Sequence, residues 1–65
     1  MTGAEFRNIR IEIGLTQFAL GRLLGCAPPH IQQMQSDRRA ISRPVELVML
    51  AMADEWRPAD FPDYE

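Results

Sequence analysis

The sequence predicts an all-α fold: a compact four-helix domain closed by a short acidic C-terminal tail. Three observations carry that expectation. Apolar residues recur at three- and four-residue spacing, with no run of strict alternation that would suggest a strand. Residues that favour helix starts stand at four points: Thr2, Thr16, the pair Pro28-Pro29, and Ser42 before Pro44. Gly14 and Gly25 close the first two of these segments. At 65 residues the chain has room for one domain, and a core this small is marginal without a supplement.

Taken in order, Thr2-Gly3-Ala4-Glu5 has the spacing of a capping box, so a first helix begins near Gly3, with Phe6, Ile9 and Ile13 as its buried stripe. Gly14 ends it. Thr16 caps a second helix over Gln17 to Leu24, with Leu20, Leu23 and Leu24 facing inward and Gly25 as its stop. Pro28 and Pro29 are tolerated only in the first turn of a helix, where their missing amides would have no partner, so a third helix starts there and runs to about Ser36. Asp37-Arg38-Arg39-Ala40 forms a polar loop and Ile41 returns to the core. A fourth helix begins at Pro44 and reaches roughly Trp56, with Val45, Val48, Met49, Met52 and Trp56 along one face. Residues 1–56 thus form the domain. Residues 57–65 hold two prolines and three acids without a period and read as a tail.

The net charge of −2 conceals an uneven distribution. Up to Arg43 there are six arginines against three acids; from Pro44 onward Arg57 stands against six acids. A basic front and an acidic rear can still dock on a polyanion, because local field decides phosphate affinity. Every cation is arginine, which suits phosphates and guanine edges and equally fits a GC-rich genome. The lone Cys26 forms no internal disulfide and fits a cytoplasmic, reducing location, bacterial or phage-encoded. The N-terminus lacks the basic and apolar regions of a signal peptide, and no membrane span is expected. Paired carboxylates, a Cys–His arrangement with a third partner and a phosphate loop are all missing, so neither an enzyme nor a cofactor nor a metal site is expected.

The second and third segments meet, one after another, the demands of two helices crossing steeply over a short turn. Gly21 is the small residue needed at the crossing, Gly25 provides positive φ in the turn, and Leu20, Leu24, Cys26, Ile31 and Met34 supply the apolar interior. Thr16 to Ser36 therefore reads as a helix-turn-helix. With Gly14-Leu15-Thr16-Gln17 opening it, Leu24-Gly25 at its centre and Ile41 and Pro44 following, the stretch from about Phe6 to Met52 resembles the lambda-repressor-like family of Cro/CI or XRE type. The resemblance implies a small phage or mobile-element regulator that binds double-stranded DNA, with Gln17 on a phosphate and the third helix in the major groove. Ala27, Gln35 and Asp37 depart from the family's usual Ser or Thr, Glu and Gly. The first removes a cap worth about 1 kcal/mol, partly offset by the prolines. The second leaves Arg10 a neutral acceptor in place of a carboxylate.

With Ile31 and Met34 inward, helical geometry aims Pro29, Gln32, Gln33 and Ser36 outward as candidate base readers, with Pro28 and His30 at the flanks. Either glutamine suits the paired bonds to adenine N6 and N7, and the proline rings suit thymine methyls. Phosphate contacts are expected from Gln17, His30, Arg38, Arg39 and Arg43. The fourth helix is apolar nearly all round, so its second face, Leu47, Leu50, Ala51 and Asp54, is expected to meet a second copy in a homodimer. Phe18 joins either that interface or the DNA backbone, and Phe61 and Tyr64 either cross the dimer or belong to a loose tail. The function these features imply is a dimeric repressor on an inverted repeat, with its own operon as a natural target. The rival is a protein partner: an antitoxin or adaptor on the same fold.

Overall fold

The computed structural model describes residues 1–62, and among them it contains four helices and no strand: α1 Gly3–Glu12, α2 Gln17–Leu24, α3 Pro28–Gln35 and α4 Arg43–Ala53. Each begins where local chemistry supplies a start. At α1 the capping box is complete: the Glu5 amide donates to the Thr2 hydroxyl at 3.1 Å, and the Thr2 amide donates to the Glu5 carboxylate at 2.8 Å. At α2 the Ala19 amide donates to the Thr16 hydroxyl at 3.0 Å. α3 has Ala27 at its cap without a side-chain bond, and Pro28 and Pro29 fill its first turn.

Helix ends are equally specific. The turn after α2 places Gly25 at φ 73°, which lets the Cys26 amide reach back to the Gly21 carbonyl at 2.8 Å. α3 and α4 close in the same manner with charged residues in the left-handed position, Asp37 at φ 61° and Glu55 at φ 70°. The Arg38 amide then bonds the Gln33 carbonyl at 2.9 Å, and the Trp56 amide bonds the Ala51 carbonyl at 3.0 Å.

The second of these closures corrects the expected length of α4. The helix stops at Ala53, so Trp56 leaves the apolar face and is half exposed. Arg57 reinforces the stop by donating to the Met52 carbonyl at 2.7 Å and the Trp56 carbonyl at 2.8 Å.

Every helix contributes to one core. Phe6, Leu20, Ile31, Met49 and Met52 are essentially sealed from water, with Leu15, Ala19 and Met34 beside them. α1 packs on both α3 and α4, while α2 packs on α3. Leu15 and Ala19 lie deeper than the helical stripe predicts, and Ile9, Ile13, Leu23, Leu24, Cys26 and Ile41 pack around the edge of the core. Phe61 also packs against this core, with the Arg57 guanidinium 5.0 Å from its ring centre, so residues leading up to Pro62 fold back onto their own domain. Tyr64 lies outside the described residues. No helix among those described is long and apolar enough to cross a membrane.

Candidate nucleic-acid interface

The spatial relation of α2 to α3 is fixed by contact between backbones. A Cβ at Gly21 would collide with the carbonyl oxygen of Cys26 and touch the Ile31 side chain, so only glycine lets the turn press this closely on α2. Leu20 and Ile31, both fully buried, fill the angle between the two helices. This is helix-turn-helix packing: α3 is held by its inner face through Ile31 and Met34, and its outer face is left open.

On that outer face Pro28, Pro29, Gln32 and Ser36 are exposed, while His30 and Gln33 are half-buried. Two of these side chains behave differently from bare surface groups. The Ser36 hydroxyl donates back into the helix, to the Gln32 carbonyl at 3.0 Å and the Gln33 carbonyl at 3.3 Å. Gln33 is occupied as well: its Oε1 accepts from Arg39 Nε at 3.0 Å. The side chains of Pro28, Pro29 and Gln32 are exposed and carry no such attachment among the described residues.

The loop after α3 is anchored to α1. The Gly3 amide, first in α1, donates to the Asp37 carboxylate at 2.8 Å, and a Cβ at Gly3 would strike the carbonyl oxygens of Met34 and Gln35. Asp37 thus ends one helix with its backbone and satisfies the start of another with its side chain. A further tie runs from α1 to α3 and to the loop before α2: Arg10 donates through Nε to Gln35 Oε1 at 2.7 Å and through Nη1 to the Leu15 carbonyl at 2.8 Å. Arg10 is partly desolvated there, which lowers its pKa from the ordinary arginine range, with Arg7 adding a smaller effect in the same direction. The Arg10–Gln35 bond is the one the family resemblance implies. The role of Gly3 is not, since its only signal is its place at the first turn of α1.

The arginines divide by what they touch. Arg38 and Arg39 are exposed in the loop after α3. Arg43 pairs with Glu46 one turn along α4 at 2.8 Å, and the Glu46 carboxylate also accepts from the Met1 ammonium at 3.0 Å. Arg22 lies 6.0 Å from the Phe18 ring centre on α2, and Gln17 opens that helix half-buried. Phe18, 61% exposed, borders a groove of about 350 Å³ with Ala19, Arg22, Leu23, Asp60 and Pro62, between α2 and the returning C-terminal segment.

Two proteins named as regulators are similar to this chain in sequence. The propionyl-CoA carboxylase regulator of Cereibacter sphaeroides is 37% identical over 54 residues, covering 83% of this chain and 11% of that protein. The HTH-type transcriptional regulator PrpR of Mycobacterium tuberculosis is 38% identical over 53 residues, covering 82% of this chain and 11% of that protein. The chain therefore spans about a tenth of the length of each relative. No known family profile matches the chain, and no solved structure does.

α4 presents the remaining expected surface. Leu47 and Leu50 are about half exposed, Ala51 is half-buried, and Asp54 caps the helix in the open. Ile11 and Trp56 are exposed to the same degree as these leucines.

Proposed function

We propose that this chain is a sequence-specific, double-stranded DNA-binding unit of a transcriptional regulator, with α3 as its recognition helix in the major groove. The observation that carries the reading is the packing of α3 on α2 at Gly21, which holds α3 by one face and leaves the other open. The similarity to two named regulators over most of the chain supports it. Within this reading Pro29, Gln32, Gln33 and Ser36 face base edges. Gln17, His30, Arg38, Arg39 and Arg43 face phosphates, Arg43 after exchanging Glu46 for DNA.

A finer reading puts the chain among Cro/CI or XRE-type repressors, with residues 1–56 as the binding domain and Leu47, Leu50, Ala51 and Asp54 joining two copies. Exposed leucines one turn apart on α4 support the dimer. A two-fold pair would set its recognition helices about 34 Å apart on an inverted repeat.

Titration onto the chain's own upstream DNA at several salt concentrations tests the function. Selective binding with a steep salt slope is expected. Arg38→Ala should reduce the slope by about one and weaken all sequences alike, whereas Gln33→Ala should cost about 1–3 kcal/mol on the preferred site alone. Binding without preference for any sequence would refute the reading and favour a protein partner on the α4 face. Light scattering across a dilution series tests the dimer separately, and a monomer at every concentration, with or without DNA, would remove it.

A further inference from the structure

The sequence leaves Gln32 and Gln33 equal as base readers, and the fold separates them. The Gln32 side chain is exposed and makes no hydrogen bond among the described residues. Gln33 is half-buried and held at several points: its backbone carbonyl accepts the Arg38 amide at 2.9 Å and the Arg39 amide at 3.2 Å, and its Oε1 accepts Arg39 Nε at 3.0 Å. Asp37, in the left-handed region, sets the chain reversal that brings both amides back, and its carboxylate accepts the Gly3 amide at 2.8 Å. Arg39 therefore reaches Gln33 from a fixed backbone position.

The bond from Arg39 uses one of the two lone pairs on Oε1. The second lone pair and both Nε2 protons stay open, and these are what adenine requires, since N6 donates to the oxygen and N7 accepts from the nitrogen. What the bond restricts is rotation. The terminal torsion of a glutamine is broad, so a free amide pays an ordering cost on binding and can turn over to offer its nitrogen where its oxygen stood. A tethered Oε1 meets part of that cost before DNA arrives and resists the turn. The Arg39 Nη protons have no partner among the described residues and remain for a phosphate, and the charge-assisted bond to Gln33 strengthens as docking excludes water.

We propose that Arg39 is a positioning residue that fixes the Gln33 amide in the orientation that reads adenine, and so sharpens the choice of adenine at the base pair Gln33 meets. The inference rests on the DNA-binding reading above and makes it specific. A phosphate contact alone would give Arg39 no influence on which base is chosen.

The test selects preferred sites from randomised duplexes with the unaltered chain, uses Gln33→Ala to find the base pair that Gln33 meets, and measures binding to duplexes that differ only there. The unaltered chain should favour adenine at that pair by about tenfold, within the range one paired contact commands. Gln33→Ala should erase the preference. Arg39→Met keeps most of the stem but removes the donor, and should reduce the preference to about threefold, the worth of the lost ordering. Placed on Gln33→Ala, the Arg39 substitution should change no base preference further. Loss of a phosphate contact is read separately, as a smaller salt slope shared by all duplexes. In the free protein, the Gln33 side-chain amide should be more ordered than that of Gln32 by nuclear magnetic relaxation, and Arg39→Met should remove the difference while circular dichroism stays unchanged.

The outcomes separate the two readings. If the unaltered chain binds every duplex alike, or Gln33→Ala keeps all base preferences, the recognition helix itself is misassigned and the inference goes with it. If Gln33→Ala erases a preference for adenine but Arg39→Met weakens every duplex equally and leaves that preference at tenfold, DNA recognition stands and Arg39 is a phosphate contact only. A Gln33-dependent preference for any other base also overturns the role of Arg39.

Discussion

Gly21 is subject to two opposing effects. Inside a helix, glycine is worse than alanine by about 1 kcal/mol, so replacement with alanine should help α2. The collision with the Cys26 carbonyl works the other way, and it involves backbone on both sides, which has no rotamer through which to escape. Overpacking of this kind costs about 1–3 kcal/mol, and the loss exceeds the gain because the Cys26 position is locked by its own amide bond to the Gly21 carbonyl. Gly21→Ala is therefore expected to lower the free energy of unfolding by about 1–2 kcal/mol, read from urea denaturation. Since the same contact sets the angle of α3, DNA affinity should fall further than the unfolded fraction explains. A variant as stable as the parent would show that the turn can retreat from α2, and would weaken the case that glycine defines the crossing.

Among the elements, α2 and α3 start in contrasting ways, and the contrast decides how much each cap is worth. Thr16 bonds the Ala19 amide directly, so Thr16→Ala should cost about 1 kcal/mol. α3 lacks a capping side chain, yet two of its first three residues are prolines with no amide to satisfy, and the remaining amide, that of His30, already donates to the Ala27 carbonyl at 2.9 Å. Ala27→Ser should therefore gain only about 0.3 kcal/mol, below the usual worth of a cap. Thermal melts of both variants check the pair, and a full gain at Ala27 would mean the prolines do not replace the cap. Starts signalled by Thr2, Thr16 and Pro28 are legible in the sequence because each is a local interaction within three or four residues. The end of α4 is not: the left-handed residue is Glu55, which bears none of the usual marks of a helix stop, and the apolar period runs on to Trp56.

At the scale of the whole molecule, what the sequence cannot show is which partners distant residues find. Exposed positions on α3 follow from a period of 3.6, but the capture of Gln33 by Arg39 depends on a loop conformation set by Asp37 and Gly3, which lie 34 residues apart. Charge placement shows the same limit. In the sequence Arg43 reads as a free cation, whereas in the fold it shares Glu46 with the Met1 ammonium, joining the start of α4 to the start of the chain. The Arg43 bond, then the Met1 bond, holds the Glu46 carboxyl below its ordinary 4.5, and bonds from the Thr2 amide and hydroxyl hold Glu5 below it too.

A depressed carboxyl pKa means that the unfolded chain binds protons more readily than the folded one, so stability from these groups is complete above about pH 4.5 and is lost as the pH falls through their folded values. Glu46→Gln keeps an acceptor but removes the charge. At neutral pH the variant should be less stable than the parent, and the gap should narrow as the pH falls below 4.5, closing once the folded Glu46 carboxyl is itself protonated and, like the substituted amide, neutral. Because the Arg43 partner of Glu46 is exposed, 1 M salt should shrink the gap at neutral pH as well. Urea midpoints for both proteins from pH 7 to pH 3, at low and high salt, measure this directly. Curves that stay parallel down to pH 3 would mean that Glu46 contributes through packing rather than charge, and that the tie between the chain's start and α4 is not electrostatic.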